Sequence, residues 1–108
     1  MKPAALAVLL ILQATPRIAI RVNPTVLLEG GAVRLTCRVA RHPDNRWLAL
    51  GLANYRESRL DLDGEAAPVT HVVLYEHVPC GTGEAYCAVG HVRGVPLVAR
   101  HPLLVAGC

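Results

Sequence analysis

Apolar and polar residues alternate most cleanly over residues 32–39, AVRLTCRV. Val33, Leu35, Cys37 and Val39 take one parity, and Arg34, Thr36 and Arg38 the other. A period of two marks a half-buried strand, because successive side chains of an extended chain point to opposite faces. Gly30-Gly31 ahead of it supplies a turn. The same reading predicts an opening strand over 20–28, a polar connection over 41–46 and an apolar strand over 47–52. Residues 53–68 are polar and mixed in charge, with a short strand at 58–62 and a turn at Asp63-Gly64. A β-branched strand follows over 69–78, closed by Pro79-Cys80-Gly81. Strands over 84–91 and 95–105 flank a tight connection from Gly90 to Gly94. Pro102 in the last strand lacks an N–H and suits an edge or a bulge. About seven strands with frequent turns and no sustained helical period predict an all-β fold, an antiparallel sandwich or small barrel.

The N-terminus reads differently. Residues 4–14, AALAVLLILQA, form an uncharged apolar run behind Lys2. A membrane-spanning helix needs about 20 such residues, and Pro16-Arg17 ends this run early. A basic start and a short apolar core are expected of a secretory signal peptide, residues 1–19, cut near Ala19. Residues 20–108 then form one domain with no transmembrane anchor. The cut takes Lys2 and Arg17 from the eleven cations, leaving nine against eight carboxylates, a net charge of +1 rather than +3. A near-neutral chain gives no basis for nucleic-acid binding through a basic face. A hydrophobic fraction of 53% excludes a disordered tail.

All four cysteines, Cys37, Cys80, Cys87 and Cys108, follow that cut. An even number in a short exported chain implies two disulfides, with three pairings open. None forms the CxxC of a redox enzyme or zinc ribbon. The expected location is secreted, periplasmic or extracellular.

Cys37, Trp47 and Cys87 in a seven-strand chain resemble an immunoglobulin-like domain, over essentially all of residues 20–108. That resemblance implies a disulfide-stapled β-sandwich, with a bridge from the second strand to the sixth and a tryptophan packed against it. Two registers compete at the sixth strand. Val73, Tyr75, Val78 and Tyr86 fit the family spacing but place the cysteine at Ala88; a one-residue shift fits Cys87 and Gly83 but leaves Ala85 where a tyrosine belongs. A slip of one residue swaps a strand's faces, and the cysteine register is the one adopted. The short Cys37-to-Trp47 spacing then sets Trp47 over the rim of the bridge. In such a sandwich the corner before the sixth strand and the exit of the last lie at one end, which pairs Cys80 with Cys108 and Cys37 with Cys87. The second-to-sixth-strand bridge thus closes a long loop at Cys37–Cys87, worth roughly 3–4 kcal/mol.

No catalytic apparatus is marked, and no enzyme is expected. Ser58, the only serine, lacks a GxSxG setting. Asp61, Asp63 and Glu65 share a segment with Arg56 and Arg59 and read as a solvated loop. His42, Cys87 and His91 resemble a blue-copper ligand set, but no methionine follows His91 and the disulfide claims Cys87; no cofactor or metal is expected. His71 and His77 fall on one face of a predicted strand, about 20 Å apart by strand rise.

The remaining candidate is a surface. The family's loop end would gather Arg41, His42, Asp44, Asn45 and Arg46 with Asp63 and Glu65, and with His91 and Arg93. Arginines among adaptable polar groups suit a carboxylate, sulfate or sugar acid. The expected function is a small exported binding or adhesion module, of bacterial or phage type, recognising a cell-surface or virion protein or a glycan. The alternatives are an inhibitor of an envelope enzyme and, behind it, a copper-binding sandwich.

Overall fold

The computed structural model describes residues 17–108, so residues 1–16 of the expected signal segment 1–19 lie outside the described residues. Nine strands follow in chain order: β1 (Ile18–Asn23), β2 (Val26–Leu28), β3 (Val33–Val39), β4 (Asn45–Leu52), β5 (Arg56–Asp61), β6 (Thr70–Tyr75), β7 (Glu84–His91), β8 (Leu97–Pro102) and β9 (Leu104–Ala106). One short 3-10 turn, Gly64–Ala66, interrupts the connection from β5 to β6. The order β1-β3-β6 makes a three-stranded antiparallel sheet, and β5-β4-β7-β8 a four-stranded one. β2 and β9 pair in parallel.

Nine strands replace the expected seven for one reason. Each terminal strand breaks at a proline, which has no N–H to give to a ladder. β1 ends at Asn23, beside Pro24, and β8 ends on Pro102, at the edge of its sheet. The two displaced ends then find each other, with Val26 opposite Leu104 and Leu28 opposite Ala106.

The inward residues of β3 (Val33, Leu35, Cys37, Val39) meet Leu48, Leu50 and Leu52 of β4 and Ala85, Cys87 and Val89 of β7, all nearly or fully buried. Each fully buried Leu or Val contributes about 1.5–3 kcal/mol relative to exposure. Cys37–Cys87 links the two sheets through this core, and Cys80–Cys108 ties the turn before β7 to the end of β9. No described cysteine is free. Two such bridges belong to an oxidising compartment. Tyr75, at the end of β6, crosses between sheets: its buried hydroxyl donates to the Leu50 carbonyl at 3.0 Å and meets Ser58 Oγ at 2.7 Å. The Ser58 hydroxyl is therefore part of the inter-sheet packing.

β7 adopts the cysteine register, with Ala85, Cys87 and Val89 inward. Trp47 is a correction: it does not sit over the bridge or its rim. A bulge between Asn45 and Trp47 shifts the pairing of β4 with β7, so Leu48 and Leu50 turn inward and Trp47 outward. His71 and His77 are a second correction. β6 stops at Tyr75, and His77 follows it in the left-handed region at φ 57°, so the two do not share a strand.

Candidate binding surface

The expected loop cluster forms where β3 leads into β4, and each connection is tied to its neighbour. Within the first, Asn45 N–H donates to the His42 carbonyl at 3.1 Å and Asp44 N–H to His42 Nδ1 at 3.1 Å. The Arg46 guanidinium closes the turn by donating to the carbonyls of Pro43 (2.7 Å) and Asn45 (2.8 Å). Arg41 reaches the second connection, donating to the Glu65 carbonyl at 2.8 Å. Gly64 makes this approach sterically feasible. Its φ is +55°, and a Cβ there would lie 2.9 Å from the Pro43 carbonyl oxygen. The third connection is held by Val92 N–H donating to the Asp44 carbonyl at 2.9 Å.

The histidines stack across the junction, with His42 and His91 ring centroids 5.6 Å apart and planes inclined by 27°. Arg17, preceding β1, donates to His91 Nε2 at 3.3 Å, and its carbonyl accepts from Ala40 N–H at 2.8 Å. His91 faces the Arg17 donor with Nε2, and His42 accepts at Nδ1. Desolvation lowers the pKa of His91 first, then the Arg17 charge and His42, with Asp44 pulling the other way.

Six of the seven expected surface residues therefore stand around one junction: Arg41, Arg46 and Arg93 exposed, and His42, Asp44 and His91 half-buried. Asn45 does not join them as a contact residue. It is 2% exposed, and its side-chain amide donates inward to the Ala40 carbonyl at 3.1 Å. Its position on the last pair of the β4–β7 ladder, opposite His91, puts it beneath the surface. Asp63 and Glu65 are exposed on the second connection. Arg17 is the residue that sequence reasoning sets aside, because it falls in the expected signal segment, residues 1–19. β1 begins at Ile18, so a cut after Ala19 falls within that strand.

A second set of functional-looking side chains lies on the outer face of the four-stranded sheet. Arg59 stacks over the Trp47 ring, 4.4 Å from its centroid, and the ring itself lies against Gly90. Tyr86 donates its hydroxyl to Glu57. Burial, and then the Glu57 carboxylate, push its pKa up to about 12. The sulfur of Cys87 is bonded to Cys37 and so cannot complete the copper set with His42 and His91. Among the described residues no three His, Cys, Asp or Glu side chains converge on one point. No described helix is long and apolar enough to cross a membrane.

No protein-family model matches the chain, and no curated protein matches it in sequence. Solved structures do. A chain from a structure of T cell specificity and activation by the bacterial superantigen toxic shock syndrome toxin-1 aligns with a TM-score of 0.53 at 10% identity, covering 82% of this chain and 99% of its own. The human F-spondin reeler domain (fragment 1) gives 0.52 at 14% identity, with 86% and 91% covered. The Reelin-N domain of F-spondin gives 0.51 at 14% identity, with 94% and 99% covered. At these identities the likeness is one of fold alone, among all-β domains.

Proposed function

We propose that this chain is an exported immunoglobulin-like binding module without catalytic activity, which recognises a protein or glycan on a cell or virion surface through the loop end. The observation that carries the reading is the cross-tied junction of three connections, with Arg41, Arg46 and Arg93 exposed around the stacked His42 and His91. A preorganised set of forked donors loses little freedom when it engages an anionic or polar ligand. The family assignment is supported by strand order. In a constant-type immunoglobulin sandwich the first, second, fourth and fifth strands form one sheet and the third, sixth and seventh the other, bridged from second to sixth. Counting β1 and β2 as one, this chain keeps that division except that its fourth strand, β5, pairs with β4 on the second sheet. Here β1-β3-β6 faces β5-β4-β7-β8, with the bridge between β3 and β7.

Binding of purified protein to whole cells and to a glycan array tests the reading. Replacing Arg41, Arg46 and Arg93 together with Ala is expected to weaken binding at least about tenfold, roughly one charge-assisted hydrogen bond. Unchanged binding by the triple variant would remove the loop end as the recognition surface. A stoichiometric complex with a single envelope enzyme would turn the reading to the inhibitor.

A further inference from the structure

The outer face of the three-stranded sheet has a charge pattern unlike the rest of the molecule. Three residues from each of β1, β3 and β6 point outward there; three of the nine are arginines and none is acidic. Arg21 is paired opposite Thr36, while Arg38 lies between Ala19 and Thr70. Arg21 is thus the diagonal neighbour of both Arg34 and Arg38, a separation of about 7–8 Å in an antiparallel sheet. A cleft of about 360 Å³ opens at this place, lined by Arg21, Arg38, Thr36 and Thr70 over Ala19 and Ile20.

Among the described residues none of these guanidiniums has a hydrogen-bond or ion-pair partner. Among the described residues the one ion pair, Arg100 with Glu84, is on the other sheet, and the arginines that hydrogen-bond are Arg17, Arg41 and Arg46. The four-stranded sheet interleaves its outward arginines with Glu57, Asp61 and Glu84, whereas Arg21, Arg34 and Arg38 repel one another with no counter-charge on their face. An external oxyanion relieves that repulsion and accepts from both guanidinium forks and from the threonine hydroxyls.

We propose that this cleft is a second binding site, for the carboxylate or sulfate groups of an acidic polysaccharide. Three cations set in a triangle, Arg34 and Arg38 along β3 with Arg21 between them on β1, match a polymer that repeats its charge rather than a single small ion. Val72 and Leu74, both more than half exposed, flank the triangle on β6 and offer an apolar strip to the faces of sugar rings. No aromatic side chain stands on this face, which disfavours single-stranded nucleic acid, where bases stack on rings. The apolar strip is too small for insertion into a lipid surface. The site is independent of the loop-end reading.

The test uses heparin oligosaccharides and oligogalacturonates as probes, titrated at stepped salt, with a thymidine oligonucleotide and phosphatidylserine vesicles alongside. The Arg21→Ala/Arg38→Ala double variant is expected to bind at least about tenfold more weakly, the typical worth of a charge-assisted contact. Arg56→Ala/Arg100→Ala removes equal charge elsewhere, and Arg41→Ala/Arg46→Ala/Arg93→Ala disables the loop end; both are expected to bind within about twofold of the parent, as screened distant charges do. Arg21→Lys/Arg38→Lys keeps the charge and loses the fork, so it is expected to fall between parent and Ala variant. Absence of binding to either polysaccharide at low salt would overturn the site. So would equal losses in all the Ala variants, or oligonucleotide or vesicle binding as tight as that of the sugars.

Discussion

His91 is where residue-scale chemistry and the loop end meet. Its ring accepts from Arg17 and stacks on His42, so a proton at Nε2 would face a guanidinium. Burial and these neighbours hold its pKa below the ordinary value near 6.5. The folded protein therefore binds fewer protons at this site than the unfolded chain. The resulting stability is complete above pH 6.5 and is lost as the pH falls through the folded value. The thermal midpoint is expected to drop between pH 7.5 and 5, and His91→Gln to shrink that drop; an equal drop in the variant would show that the titrating group lies elsewhere. The sequence marked His42, His91 and the arginines around them from residue type and loop position. It could not mark Arg17, because a basic residue after an apolar run has the same appearance in a leader and at a strand's entrance. Nor could it separate buried Asn45 from its exposed neighbours, since both read as polar loop.

At the scale of strands, period-two alternation located β3 almost to the residue, because it buries one face completely, while β7 falls between the turns that bounded the expected strand over 84–91. The β4 pattern misled for the opposite reason. Its inward and outward residues, Leu48, Ala49, Leu50, Gly51 and Leu52, are all buried, and a bulge changes the parity just before Trp47. Trp47 consequently lies across Gly90 on the neighbouring strand, where an added Cβ would fall 1.9 Å from the indole. Neither ring nor backbone can retreat without disturbing the Arg59 stack or the β4–β7 ladder. Gly90→Ala is expected to destabilise by about 1–3 kcal/mol, the range for overpacking. The urea midpoint measures it, and an unshifted midpoint would mean that the ring is free to swing away.

For the whole molecule, the decisive legible feature was the cysteine count. The pairing followed from the family topology, and both bridges are present as expected. A core without Phe is modest, so the covalent links carry a large share of the stability. With sequence separations of 50 and 28, the chain-entropy model assigns about 4 kcal/mol to Cys37–Cys87 and slightly less to Cys80–Cys108. Replacing either pair with Ala should lower the unfolding free energy by roughly those amounts, with the larger loss at Cys37–Cys87; guanidinium titration measures both, and a reversed order would refute the model here. The same two bridges also fix how the molecule would respond to tension. Between Arg17 and Cys108 the shortest covalent route runs to Cys37, crosses to Cys87, returns to Cys80 and crosses to the end. Stretched at those points, the chain can lengthen to roughly 100 Å rather than roughly 300 Å, at about 3.5 Å per residue. Residues 40–46, 63–65 and 91–93 all lie off that route. Tension between those two points would reach these connections through the Arg17 hydrogen bonds to His91 and Ala40, and not along their own covalent chain.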